Sequence, residues 1–346
     1  MPRQREWTDR DLSILHELYE LREMTKGQIV TKHFANGEKY GNKRLYIMKK
    51  EGLITSHVFG KRMAGQTVTA AYVRLTEAGM DLLIEHGLLD SKNYRARDLG
   101  LSIQQRQYIT DANELYVRIP EVPFMDSRAI KRKYHLNRGN LTVGGFRTAE
   151  GDYMIYLLMP DARNQTLIKI ITEIKKHPKL RGYLIYYKSR PIKDAFEGMS
   201  NKMGLVTGGI PVHLLPFDEI GITLTRQYIL STNAFLNLQE LLSQYGQLTR
   251  VKEGSNKHGF LYGIRRSDGL PTPYVIEVLI GDIMIYKRCL RNYNVDAYQR
   301  EGRRVLLFCL ETDVERYKQE LLTAAHVDIV GISKEMIERS FERRDS

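Results

Sequence analysis

WTDRDLSILHELYELREMTKGQIVTKHFANGEKYGNKRLYIMKKEGLITSHVFG, residues 7–60, decides the fold at the start of this chain. Thr8 is a good helix N-cap, and Asp9 and Asp11 behind it suit the positive end of a helix dipole. Leu12, Leu15, Leu18 and Tyr19 recur at helical spacing. Thr25 with Gln28 three residues on forms a capping box, opening a second helix that buries Ile29, Val30 and Phe34. Asn36-Gly37 turns the chain into a third helix, from about Lys39 to Glu51, which Gly52 ends.

Beyond that helix the period changes from helical to extended. LITSHVFG (53–60) reads as a strand, KRMAGQ (61–66) as a turn and TVTAAYVRLT (67–76) as the returning strand. Thr76 then caps a closing helix through Leu82, Leu83 and Ile84 that ends near Gly87. Three helices, a hairpin and a last helix make a winged helix–turn–helix over residues 1–89. At about 100° per residue the third helix has two faces: Leu45, Met48 and Gly41 point inward, and Lys39, Asn42, Lys43, Tyr46 and Lys50 point outward. Long donors on the third helix of such an order suit phosphates for affinity and base edges for sequence. Lys61 and Arg62, at the wing tip, are placed to reach an adjacent backbone.

Bulk composition agrees with this choice of partner. The chain has 346 residues and a formal net charge of +12, which favours a polyanion such as nucleic acid. Its 42% hydrophobic and 9% aromatic content belongs to a folded protein of two or three domains. Cys289 and Cys309 lie in apolar runs without metal-like spacing and read as buried thiols of a reducing, cytoplasmic compartment. MPRQREWTDRD has no signal-peptide core, and no run approaches a membrane span.

Residues 90–139 read as a linker (90–100) and connecting helices. The first helix covers 102–119, with Tyr108, Ile109, Ala112, Leu115 and Tyr116 as its apolar stripe. The second starts near Asp126-Ser127 and carries Arg128, Lys131, Arg132 and Lys133, a solvated face or a secondary DNA contact. From Asn140 the same unit occurs twice, in modules 140–225 and 226–346, each a hairpin, helix, strand, helix and strand. YMIYLL aligns with YVIEVL, so Tyr153 matches Tyr274 and Tyr156 matches Glu277. A single helix over 228–246 would bridge the copies. The whole is α+β: a winged helix and two small α/β modules.

The order of each module resembles that of the PD-(D/E)xK nucleases. The resemblance implies an Asp at the hairpin, an acid in its second strand and a Lys two residues on, which together hold a metal and activate water. The first module offers Asn140 or Thr142 and then Tyr156-Leu157-Leu158. The second offers Glu277-Val278-Leu279, with Asp268 in the hairpin turn. Both modules therefore read as degenerate nuclease folds, without catalytic residues, metal or cofactor. No two histidines lie two residues apart, as a His–hydrophobic–His relaxase site needs, and there is no P-loop. His135-Leu136-Asn137-Arg138 matches the HxxR of tyrosine recombinases without the all-helical domain that surrounds it.

Residues 7–34, LTEAGMDLL, YITDANELYVRI and EGDYMIYLLMPDARNQTLIKIITEIKKH are together similar to the replication-relaxation family of plasmid and integrative-element proteins. The resemblance spans roughly residues 7–200. It departs at Arg138-Gly139-Asn140 and Tyr156-Leu157, where that family often shows a Pro-Asp and an acidic strand. It implies a setting in a plasmid, phage or integrative element, and with the winged helix the chain reads as a sequence-specific binder of double-stranded DNA. Such a protein would mark an origin for replication or mobilisation as a homodimer and recruit replication or transfer proteins. A transcriptional repressor of a mobile element and a metal-dependent nickase or relaxase are the competing expectations.

Overall fold

The structure, a computed structural model, describes residues 6–34, 37–63, 66–90, 95–176, 179–251, 257–265 and 271–342, with the side chains of 59–63, 66–70, 341 and 342 excluded. The chain is mixed α and β with several sheets and divides into two compact units, Met1–His135 and Leu136–Ser346. No described helix is long and apolar enough to cross a membrane.

The first unit runs α1 (Asp9–Leu21), β1 (Glu23–Thr25), α2 (Lys26–His33), α3 (Glu38–Lys50), β2 (Ile54–Met63), β3 (Gln66–Leu75) and α4 (Glu77–Glu85). It continues into α5 (Ile103–Arg118), β4 (Phe124–Asp126) and α6 (Ser127–Lys133). Caps expected from the sequence are present: Thr8 with Asp11 and Thr25 with Gln28 are reciprocal capping boxes, and Thr76 caps α4. The sheet order is β1-β3-β2, antiparallel throughout. Ile14, Leu15, Leu18, Met24, Ile29, Leu45, Met48, Val73 and Leu83 share one core.

Two expectations change here. The hairpin is longer than the alternation suggested: Lys61 pairs with Val68 and Arg62 with Thr67, so both stand in β2 rather than in a turn. The extended pairing runs out as far as Met63 opposite Gln66. Residues 95–100 are no free linker either. Leu99 is fully buried in the first unit's core, and Arg22 donates to the Leu99 and Gly100 carbonyls at 3.2 and 2.9 Å. α5 packs on β1 through polar as well as apolar groups: buried Asn113 donates to the Glu23 carbonyl at 2.6 Å, and Arg106 to the Glu23 carboxylate at 2.5 Å. The unit therefore extends well past residue 89.

The second unit begins with β5 (Gly144–Thr148), β6 (Gly151–Leu158), α7 (Asn164–Lys176), β7 (Gly182–Tyr187), α8 (Arg190–Lys202) and β8 (Val212–Pro216). α9 (Glu219–Leu224), a π-helical turn (Thr225–Ile229) and α10 (Ala234–Leu241) follow. The second half has β9 (Gln247–Arg250), β10 (Tyr262–Arg265), β11 (Tyr274–Glu277), α11 (Ile285–Asn292), α12 (Val295–Glu301), β12 (Val305–Leu310), α13 (Val314–Glu320), β13 (Val327–Ile332) and α14 (Lys334–Glu342). β5 to β8 stand in that order, antiparallel then parallel twice; β10 to β13 repeat the arrangement, with β9 added at the hairpin edge. Tyr153 faces Phe146 and Gly182, and Tyr274 faces Gly263 and Val305, so these two tyrosines hold equivalent register positions.

The expected bridging helix over 228–246 is broken. Ser231 Oγ takes the Asn233 N–H at 3.1 Å, and Asn237 Nδ2 donates to the Gln227 carbonyl at 2.5 Å. Side chains of this kind compete with the helical ladder and open it between Ile229 and Ala234. The halves meet where the edge of β8 pairs with the chain after β11: Leu214 N–H donates to the Gly281 carbonyl at 2.8 Å and Ile283 N–H to that of Val212 at 3.1 Å. Gly281 has φ +68 and lies so close to the Leu214 carbonyl that a Cβ would sit 2.4 Å from it. Only glycine fits there. Buried Lys193 of α8 also links the halves, reaching Asp313 at 2.8 Å.

Candidate nucleic-acid interface

α3 is fixed before it is exposed. Asp11 on α1 is buried and accepts from Arg44 Nε at 2.7 Å, from Arg44 Nη2, and from the Thr8 hydroxyl at 2.7 Å. Burial alone would raise its pKa; the Arg44 and Thr8 hydrogen bonds outweigh it and hold the carboxyl below the usual range. Arg44 also lies over the Trp7 ring at 5.2 Å. On the α2 side, a Cβ at Gly41 would sit 2.9 Å from the Phe34 ring, so the glycine sets how closely α3 approaches. Arg10 stacks on the other partner of that contact, 5.1 Å from the Phe34 centroid.

With the helix held this way, Gly41, Leu45 and Met48 are buried and Lys39, Asn42, Lys43, Tyr46 and Lys50 are all exposed. Tyr46 is 67% exposed and places its ring and hydroxyl among these lysines. Among the described residues none of the three lysines forms an ion pair. Lys39 and Lys50 are eleven residues apart, so the donors extend over roughly 16 Å of helix at 1.5 Å per residue. Tyr40, 56% exposed at the margin of this face, was not among the residues singled out from sequence; it packs edge-on to Phe34 at 5.8 Å.

The remaining basic candidates divide. Lys61 and Arg62 are in the hairpin, but their side chains lie outside the described residues. Arg128 is a structural residue: it pairs with Asp126 at 2.8 Å and donates to the Tyr19 and Glu20 carbonyls, at 3.1 and 2.6 Å, closing the C-terminal end of α1. Arg132 and Lys133 are exposed and Lys131 half-buried, and each is engaged in interactions of its own. A helix that closes α1 with its first cation is a poor candidate for a phosphate clamp.

The positions of the second unit where a nuclease would be expected to carry its acids hold groups with structural partners. The Thr142 hydroxyl donates to the Ile155 carbonyl at 3.0 Å. Tyr156 is fully buried, and its hydroxyl donates to Glu173 on α7 at 3.1 Å, the same carboxylate that accepts the Leu141 N–H. Glu277 is buried too, accepting the Ile280 N–H at 2.8 Å. Burial pushes its carboxyl up to about 7 against the Ile280 and Leu279 N–H groups, with the Asp282 charge adding to the rise. His213 lies nearby on β8; burial lowers its pKa, and its Nδ1 pairs with the Ile280 carbonyl at 2.8 Å. Asp268 lies outside the described residues. Among the described residues no three His, Cys, Asp or Glu side chains converge as a metal-binding group.

Compared with known proteins, the chain matches no family model, no curated protein and no solved structure.

Proposed function

We propose that the chain is a sequence-specific double-stranded DNA-binding protein of a mobile element, which uses a winged helix in its first unit. In this reading α3 enters a major groove, about 12 Å wide and able to admit a helix. Lys39, Lys43 and Lys50 meet phosphates, Asn42 and Tyr46 face base edges, and the β2–β3 hairpin is the wing. The observation that carries it is the third helix itself: three lysines without an ion pair among the described residues, an amide and an exposed tyrosine share one face, while Arg44 on another side anchors the helix to α1. A charged face that served solubility alone would not need Tyr46 in the middle of it.

The tandem modules of the second unit serve as supports for pairing or partner docking, on degenerate nuclease-like folds. Marking an origin for replication or transfer follows from the resemblance to the replication-relaxation family. Binding at promoters would make the same protein a repressor. Selection of the full chain against a pool of random duplexes tests the central claim. An enriched motif, lost on Lys43→Glu with Lys50→Glu, supports it; a folded chain that enriches no motif contradicts it. For the enzymatic alternative, supercoiled DNA with Mg²⁺ or Mn²⁺ should remain un-nicked. Nicking abolished by Glu277→Ala would overturn the non-enzymatic reading.

A further inference from the structure

The second unit contains a cleft of about 360 Å³ where its two halves meet, walled by the end of α8, the glycine-rich loop 204–210 and the start of α11. That size lies within the usual range of small-molecule pockets, roughly 300–1,000 Å³. Among its polar groups are a buried hydroxyl without a partner and two exposed guanidinium groups. Ser200, on the α8 wall, is buried, and its hydroxyl has no hydrogen-bond partner. Lys287 is half-buried; its ammonium donates to the amide oxygen of Asn201 and feels the nearby Glu197 and Glu320 carboxylates. Arg291 lies one turn further along α11 and Arg288 between them, both lining the cleft. The two acids of the lining are already engaged: Glu197 pairs with Arg316, and Asp282 accepts the Met284 N–H at 3.0 Å.

A buried donor left without an acceptor is costly, and beside two exposed guanidinium groups an anion with several oxygens is the ligand chemistry that relieves it. The opposite wall is suited to something else. Val206, 72% exposed, stands with Ile210, Ile283 and Met284 as an apolar surface. Gly208 and Gly209 have φ of +61 and +95, with nothing within 4 Å of where a Cβ would be, so the loop leaves open space beside its backbone. We infer that this cleft binds a small phosphomonoester with a flat or apolar body, of nucleoside monophosphate size. The phosphoryl group lies among Lys287, Arg288, Arg291 and the Ser200 hydroxyl, and the body lies against Val206 and Ile283. This site is independent of the DNA-binding reading, since every residue in it belongs to the second unit.

Calorimetric titration of the full chain with the four ribonucleoside 5′-monophosphates, their nucleosides and inorganic phosphate tests it. At least one monophosphate should bind one-to-one with a Kd below about 1 mM, and its nucleoside and inorganic phosphate should each bind at least about tenfold more weakly. Arg291→Ala, a change at an exposed position, should weaken that binding about tenfold. Ser200→Ala should weaken it several-fold while leaving the Tm of the free protein unchanged or higher, because it removes an unpartnered buried hydroxyl. That opposite pair of effects is what a purely structural serine would not give. No saturable binding by any monophosphate, inorganic phosphate binding as tightly as the nucleotide, or affinity indifferent to Arg291→Ala would each overturn the proposal.

Discussion

α3 and α6 are both short, strongly basic helices of the first unit, yet their cations do different jobs. α3 directs Lys39, Lys43 and Lys50 into solvent and uses one arginine, Arg44, to grip buried Asp11. α6 uses its first cation, Arg128, to hold Asp126 and two carbonyls at the end of α1. The difference follows from side-chain chemistry. A guanidinium forks onto a carboxylate or a pair of carbonyls, whereas an ammonium on a flexible stem keeps its hydration unless a partner is forced on it. Arg44 and Arg128 build the fold, and Lys39, Lys43 and Lys50 point into solvent.

That division can be broken from the structural side first. Asp11→Ala removes the carboxylate and leaves Arg44 without its partner; a cost of about 3 kcal/mol in unfolding free energy is expected, measured by urea denaturation. If the loss is under about 0.5 kcal/mol, as for an exposed pair, α3 is not anchored as described. The same pair predicts an acid dependence. Because the folded Asp11 pKa is depressed, its contribution is present above the unfolded value near 3.9 and is lost as pH falls through the folded one. Asp11→Asn should therefore flatten the stability profile of the first unit below about pH 4.

Next in size is the functional side. Lys43→Glu with Lys50→Glu should reduce DNA affinity by about 100-fold at 0.15 M salt, without changing unfolding free energy beyond about 0.5 kcal/mol. Arg128→Ala should do the reverse: a loss of about 1–2 kcal/mol of stability, from the carbonyl contacts at the end of α1, with DNA affinity within about twofold of the parent. Should Arg128→Ala weaken DNA binding tenfold at unchanged stability, the contrast between α3 and α6 fails. The smallest effect is expected at Tyr46→Phe, which keeps the exposed ring and removes only a hydroxyl. A shift of specificity at one base position, with roughly constant overall affinity, would mark that hydroxyl as a base contact.

Much of the first unit was legible because its signals are local. Thr8 as an N-cap and the Thr25–Gln28 pair name helix starts from local residues alone, and the lysine face of α3 follows from periodicity. What escaped was set by distant partners. Nothing around Arg44 announces that it reaches Asp11, thirty-three positions away, and nothing around Arg128 points to Tyr19 and Glu20. β1 is three residues long and exists because β3 pairs with it, so its own sequence carries no strand pattern. The repeat in the second unit was visible from YMIYLL and YVIEVL, and the strand registers place Tyr153 and Tyr274 alike. The cleft was not, since it needs Ser200, the glycines of 204–209 and α11 brought together across more than eighty residues.

The salt dependence of DNA affinity tests the central claim most directly. Each phosphate contact contributes about −0.9 to the slope of log affinity against log salt. The full chain and its Lys43→Glu, Lys50→Glu variant, measured on one selected duplex from about 50 to 200 mM salt, should differ in slope by about two. Equal slopes and equal affinities, with both proteins folded, would contradict the assignment of α3 as the DNA-contacting helix.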